Sequence, residues 1–204
     1  MSRSNQDYPL GRSRTQTLTF KGLLGLFALL LAASSAHALE FTEVQTAKSS
    51  MVFGYKQMNV PLTGSFGKFA IQARFDPAKP AAGLARIDID LSSIDTGNSD
   101  ADDEVAGKLW FNTKQFPKAQ FVSSSIKALG GNRYEAQGKL TIKGKTLDIS
   151  APFTFRQEGT TALFDGAFRL NRLDYAIGEG LWADLATVAN EVSITFHFVA
   201  SSKK

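Results

Sequence analysis

The chain has 204 residues, with 23 lysines and arginines against 19 acidic residues, two histidines and no cysteine. Lack of cysteine rules out a disulfide framework and a Cys/His metal centre. No basic stripe marks a nucleic-acid surface, and no glycine loop sits between strand and helix to cradle a phosphate.

In chain order, Arg3, Arg12, Arg14 and Lys21 make a basic leader to the apolar run Gly22–Ala33. Ser34-Ser35-Ala36-His37-Ala38 follows, with small side chains at Ala36 and Ala38 where signal peptidase needs them. Twelve helical residues rise about 18 Å, short of the roughly 30 Å of a bilayer core. Residues 1–38 are therefore expected to be a signal peptide cleaved after Ala38, with a periplasmic destination. Arg12-Ser13-Arg14 is not the paired arginine of folded-protein export. Residues 39–204 then form one domain carrying 19 basic and 18 acidic residues, large enough to bury a core without staples.

Strict alternation dominates this domain. It marks strands over Ser49–Met58, Phe69–Phe75, Ile87–Leu91, Gln120–Ala128, Tyr134–Ile142, Leu147–Phe155, Phe164–Leu170 and Val192–Phe198, with a ninth candidate at Phe41–Thr46. Gly144 permits a tight turn after Lys143. Strands apolar on one face only and joined by short turns predict an all-β, antiparallel sheet closed as an eight-stranded barrel or stacked as a sandwich. Asn98–Trp110 reads as one short acidic helix, capped by Asn98 or Ser99, with Asp100, Asp102, Asp103 and Glu104 at the positive end of its dipole. Arg172–Asn190 is one long loop, in which Leu181–Ala189 is compatible with a second short helix.

Catalytic groups are few. Once the signal is removed, His197 is the sole histidine, and its parity points it to the polar outer face. The carboxylates of Asp100–Glu104 can be read as an acid/base or metal cluster, or as solvated helix-start charges, and the second reading is preferred. No enzyme, catalytic residue, metal or cofactor is expected. Fourteen phenylalanines, two tryptophans and three tyrosines remain after residue 38, many on the inward parity. Such rings either line a cavity for an apolar ligand or fill the barrel themselves.

Certain words stand in a telling order. Ser92-Ser93-Ile94-Asp95-Thr96-Gly97-Asn98 precedes the acidic helix, followed by Lys108–Asn112, Phe116–Phe121, Gly138–Thr146 and Asn171–Gly178. In that order and spacing the chain resembles the YceI-like family of exported bacterial proteins, from about Glu40 to Val199. Tyr55, within Phe53–Pro61, stands where many members have histidine, which marks a subgroup containing the KQMNVP stretch.

The resemblance implies a lipocalin-like barrel with a long internal cavity holding a polyisoprenoid chain or similar amphiphile, of the quinone or polyprenyl phosphate class. On that basis the expected wall is Phe53, Phe69, Phe75, Ile87, Ile89, Trp110, Phe111, Leu140, Leu147, Phe153, Phe168, Ile194 and Phe196. Expected polar contacts are Tyr55, Lys56, Gln57 and Asn59, with Asp174 and Trp182 on the long loop. The expected partners are a hydrophobic small molecule or lipid and, transiently, the membrane or its redox proteins; the oligomeric state stays open, a dimer included. A ligand-free interaction or stress-related module with a filled barrel is the alternative, and a hydrolase using Asp100 and Asp103 a third.

Overall fold

A computed structural model describes residues 39–202, so the expected signal segment and its cleavage point lie outside the described residues. Eleven strands form one antiparallel sheet: β1 (Phe41–Val44), β2 (Ser50–Gln57), β3 (Val60–Phe66), β4 (Phe69–Arg74), β5 (Leu84–Asp90), β6 (Ile94–Asp95), β7 (Lys118–Gly130), β8 (Arg133–Ile142), β9 (Lys145–Glu158), β10 (Thr161–Asn171) and β11 (Glu191–Ser202). The single α-helix among the described residues, α1 (Ser99–Ala106), lies between β6 and β7.

The sheet order is β4-β5-β7-β8-β9-β10-β11-β2-β3-β6, and β1 pairs with β11. This ribbon curls until its edges meet. Phe41 and Phe75 exchange backbone hydrogen bonds at 2.9 and 3.1 Å, bringing β1 to the end of β4. At the other end Gly67 N donates to Ser93 O (2.9 Å) and Lys68 N to Ser93 Oγ (2.8 Å), tying the β3–β4 bend to the segment before β6. Alternation then sends one face of nearly every strand to the interior, as in β8, where Tyr134, Ala136, Gly138, Leu140 and Ile142 are buried.

The count of eight strands is corrected to eleven. Phe41–Val44 is a full member, while β3 and β6 were not legible. β3 contains Pro61 and Gly64, which weaken a strand signal, and β6 is two residues long. The β2–β3 hairpin turns on Met58 and Asn59, both left-handed (φ 49° and 64°), a conformation that methionine does not advertise. Curvature has a visible device: Phe53 and Phe196 lay their rings over Gly64 and Gly166 on the neighbouring strands, where a Cβ would collide with them.

Helix α1 starts as expected, with Asn98 Oδ1 accepting from Ala101 N at 3.0 Å, and stops at Gly107 rather than reaching Trp110. No α-helix forms over Leu181–Ala189; Gly180–Ala183 makes one 3₁₀ turn instead. Asp184 then accepts from Ala186 N (3.0 Å) and Thr187 Oγ1 (3.1 Å), offering the backbone an alternative to helix. The segment also exchanges backbone hydrogen bonds with the end of the β2 arm: Met58 N donates to Thr187 O, and Ala189 N to Lys56 O.

Candidate functional site

The curled sheet encloses a cavity of about 510 Å³, within the range of small-molecule sites. Its two ends differ. At the end closed by Phe41 and Phe75, rings pack on rings: Phe75 lies 5.1 Å from Tyr134, 5.2 Å from Phe155 and 5.4 Å from Phe164 between centroids. The middle is aliphatic and aromatic, with Ile87, Ile89, Leu140, Phe168, Ile194 and Phe196 on the wall. Polar lining is confined to the far end, beside α1 and the long loop: Tyr55, Gln57, Thr96, Asp100, Glu104, Arg172 and Trp182.

Arg172 holds that end together. It is 1% exposed and has no carboxylate partner among the described residues. Nε donates to Ala189 O (3.0 Å), Nη1 to Ile177 O (2.9 Å) and Gly178 O (3.0 Å), and Nη2 to Trp182 O (2.6 Å) and Val188 O (2.7 Å). All five guanidinium hydrogens are thus used, each on a carbonyl of the 172–190 loop. Burial alone lowers the Arg172 pKa from its ordinary value. Gly178 is obligatory here: its φ is +77°, and a Cβ would strike the guanidinium. Arg172 also sits 5.6 Å over the ring of Trp110, which itself packs 5.5 Å from Trp182.

The helix contributes acceptors. Glu104 Oε1 accepts from Trp182 Nε1 at 2.7 Å, and Asp102 Oδ1 accepts from Thr96 N (2.8 Å) and Thr96 Oγ1 (2.7 Å). The phenol of Tyr55 is raised above its ordinary pKa, first by burial and then by the charge of Asp102, so it remains a neutral donor. Lys143 Nζ, at the β8–β9 turn, donates to Ala176 O (2.7 Å) and Glu179 Oε2 (2.8 Å), pinning the loop from outside.

Of the expected wall, Phe53, Phe75, Ile87, Ile89, Trp110, Phe111, Leu140, Phe153, Phe168, Ile194 and Phe196 line the cavity. Phe69 and Leu147 are corrected. Phe69 opens β4 and packs on Phe198 (6.1 Å) without joining the lining. Leu147 pairs with Leu140, but it lies near the start of β9, where β10 no longer covers it, and is 38% exposed. Among the expected polar contacts, Tyr55, Gln57 and Trp182 border the cavity. Lys56 has the outward parity, Asn59 sits in the hairpin turn, and Asp174 lines an outer cleft instead.

Arg172 and Thr96 were missed as site residues, while Asp100 and Glu104, preferred as solvated helix-start charges, border the cavity. A lone arginine interleaved with Leu173, Tyr175 and Ile177 ahead of Gly178 was the available signal. The paired-carboxylate arrangement is not formed: Asp100 borders the cavity, while Asp103 does not. Among the described residues no group of three His, Asp or Glu side chains could hold a metal. His197 is half-exposed on the outer face, 2.6 Å from Asp165 of the adjacent strand.

The sequence profile of the YceI-like domain matches residues 43–200. A UPF0312 protein of Pseudomonas putida is 28% identical over 183 residues, covering 84% of this chain and 93% of its own. The crystal structure of Burkholderia cenocepacia BcnA is 48% identical and superimposes with a TM-score of 0.76, covering 78% of this chain and 100% of that one. A polyisoprenoid binding domain from Saccharophagus degradans, implicated in plant cell wall breakdown, shares the fold at 15% identity, with a TM-score of 0.60 over 82% of this chain and 100% of its own.

Proposed function

This chain belongs to the YceI-like family, and from that premise we propose that it is an exported, periplasmic binding protein that carries or sequesters a long isoprenoid amphiphile without covalent chemistry. The observation that carries this reading is the segregation of the cavity: a continuous apolar wall with its polar groups gathered at one end. An amphiphile has the same division. Each buried methylene contributes about 0.8 kcal/mol, so a chain of several isoprene units gains most of its affinity from the wall. The relation of the fold to a polyisoprenoid-binding domain supports the same ligand class. A cavity of about 510 Å³ counts against a barrel filled by its own rings.

The polar end favours an uncharged head group, as in a quinone, over a polyprenyl phosphate. A phosphate seeks charge-assisted donors, yet Arg172, the one cation among the described residues of the lining, has committed all five hydrogens to carbonyls. Asp100 and Glu104 border the same space and oppose an anion. Tyr55 and Gln57 supply neutral donors for a carbonyl or hydroxyl head.

Both tryptophans, Trp110 and Trp182, line the polar end, so a bound quinone should quench their fluorescence. Titration of the domain with decylubiquinone is expected to give saturable quenching, and an undecaprenyl phosphate competitor to displace it weakly. Absence of saturable quenching by any isoprenoid quinone, with no displacement of an apolar dye, would sink the reading.

A further inference from the structure

Where a strand runs past its neighbour in this sheet, another segment can take up the ladder. β11 pairs with β2 over five residues and with β1 beyond, and the end of β2 bonds to the long loop through Ala189 N and Lys56 O. The seam between β9 and β10 has no such substitute among the described residues. β8 and β9 form ten residue pairs, and β10 and β11 form eleven, but β9 and β10 form six, from Glu158–Thr161 to Phe153–Gly166. Pairing stops at Pro152, which has no N–H to donate. In continuing register Ala167 would face Pro152 and Leu170 would face Ile149, yet none of these pairs forms. β9 still runs on to Lys145 against β8, and β10 to Asn171 against β11. The barrel wall is therefore unzipped along its polar half.

A cleft of about 210 Å³ occupies the gap. Leu147, Asp148 and Ile149 line it from β9, Arg169, Leu170 and Asn171 from β10, with Asp174 and Tyr175 at its end. Ile149 and Leu170 line the central cavity as well. Two aliphatic side chains thus separate the inside of the barrel from the outside, with no backbone ladder between them. Such side chains change rotamer on the ps–ns scale when half-exposed, whereas an intact ladder has no such freedom. The Tyr175 hydroxyl, buried and without a hydrogen-bond partner among the described residues, borders the same cleft.

We propose that the β9–β10 seam is a lateral port, gated by Ile149 and Leu170, through which the chain portion of the ligand enters and leaves sideways. This solves a geometric problem. The aromatic end is closed by packed rings, and threading a long tail through the polar end would drag apolar groups past Asp100 and Glu104. A seam in the wall lets the tail slide in broadside while the head stays at the polar end. The port rests on the reading of the cavity as a binding site for an isoprenoid amphiphile.

Because the chain has no cysteine, the seam can be stapled cleanly. Ile149→Cys with Leu170→Cys, joined by a short bis-maleimide and verified by mass, is compared with the same double variant capped by a monofunctional maleimide. Decylubiquinone exchange is followed by tryptophan fluorescence in stopped flow. The stapled protein should take up and release the quinone at least about tenfold more slowly, with both rates falling together so that affinity changes little. Equal exchange in stapled and capped proteins overturns the port. Leu170→Ala is the complementary test: an open gate raises association and dissociation rates together, whereas a mere loss of wall contact raises dissociation alone and overturns the proposal. If the wild-type chain takes up no quinone, the cavity reading itself fails and the port with it, a result distinct from equal exchange.

Discussion

The two ends of the cavity are built on opposite principles. The aromatic end is a self-sufficient core: Phe41, Phe75, Tyr134, Phe153, Phe155 and Phe164 satisfy one another by contact. The polar end is a framework: Arg172 gathers carbonyls from across a loop of nearly twenty residues and leaves open space beside it. Packing fills volume, whereas directional hydrogen bonds can hold a volume open. The proposed binding function needs both, one to stabilise the fold and one to keep the polar end open.

The largest expected effect breaks the framework. Arg172→Ala strands the five carbonyls gathered around a buried guanidinium and should cost about 3–5 kcal/mol, a fall in melting temperature on the order of 10 °C by calorimetry. Lysine should not rescue it, since an ammonium offers three donors from one point where the loop uses five in a planar fork. Phe75→Ala attacks the other principle. Its cavity among four rings should cost about 3–4 kcal/mol, yet the preference for an uncharged head should survive, because the two regions share no polar contact. Loss of that preference in a folded Phe75→Ala protein would break the comparison.

Head-group choice gives a smaller effect. Asp100→Asn with Glu104→Gln removes the carboxylates bordering the polar end and should improve undecaprenyl phosphate binding about tenfold, near 1.4 kcal/mol, with little change for a quinone. Competition against decylubiquinone measures it.

The smallest effect is at Tyr175, whose phenol is pushed up to about 12 by burial, with Asp174 adding to it. The folded chain keeps this proton where the unfolded chain, near pH 10, has begun to release it. Stability from this group is therefore fully present below about pH 10 and falls as the pH rises towards 12. Tyr175→Phe should flatten that alkaline loss in urea titrations. It should also be neutral or about 1 kcal/mol stabilising at pH 7, because it removes a buried hydroxyl that has no partner among the described residues.

What the sequence showed follows the same division. The interior parity of β4, β5 and β8–β11 was legible, because alternation is a property of each strand alone, and so most of the lining could be named. Phe69 and Leu147 had the right parity and the wrong place along their strands, since parity says nothing about where a neighbouring strand stops. The helix start at Asn98 was readable from its cap, and its end at Gly107 was overrun by the apolar residues beyond. Arg172 was opaque: its partners are backbone carbonyls, which every residue has, and only the folded loop brings five of them together. Strand β3 hid behind a turn at Met58 and Asn59 that the fold imposes.

The most direct test of the account is native mass spectrometry of the protein taken from its own compartment without detergent, followed by solvent extraction. A stoichiometric adduct with the mass of an isoprenoid quinone is the predicted result. A bare protein that also fails to take up added quinones or polyprenyl phosphates would contradict the binding function.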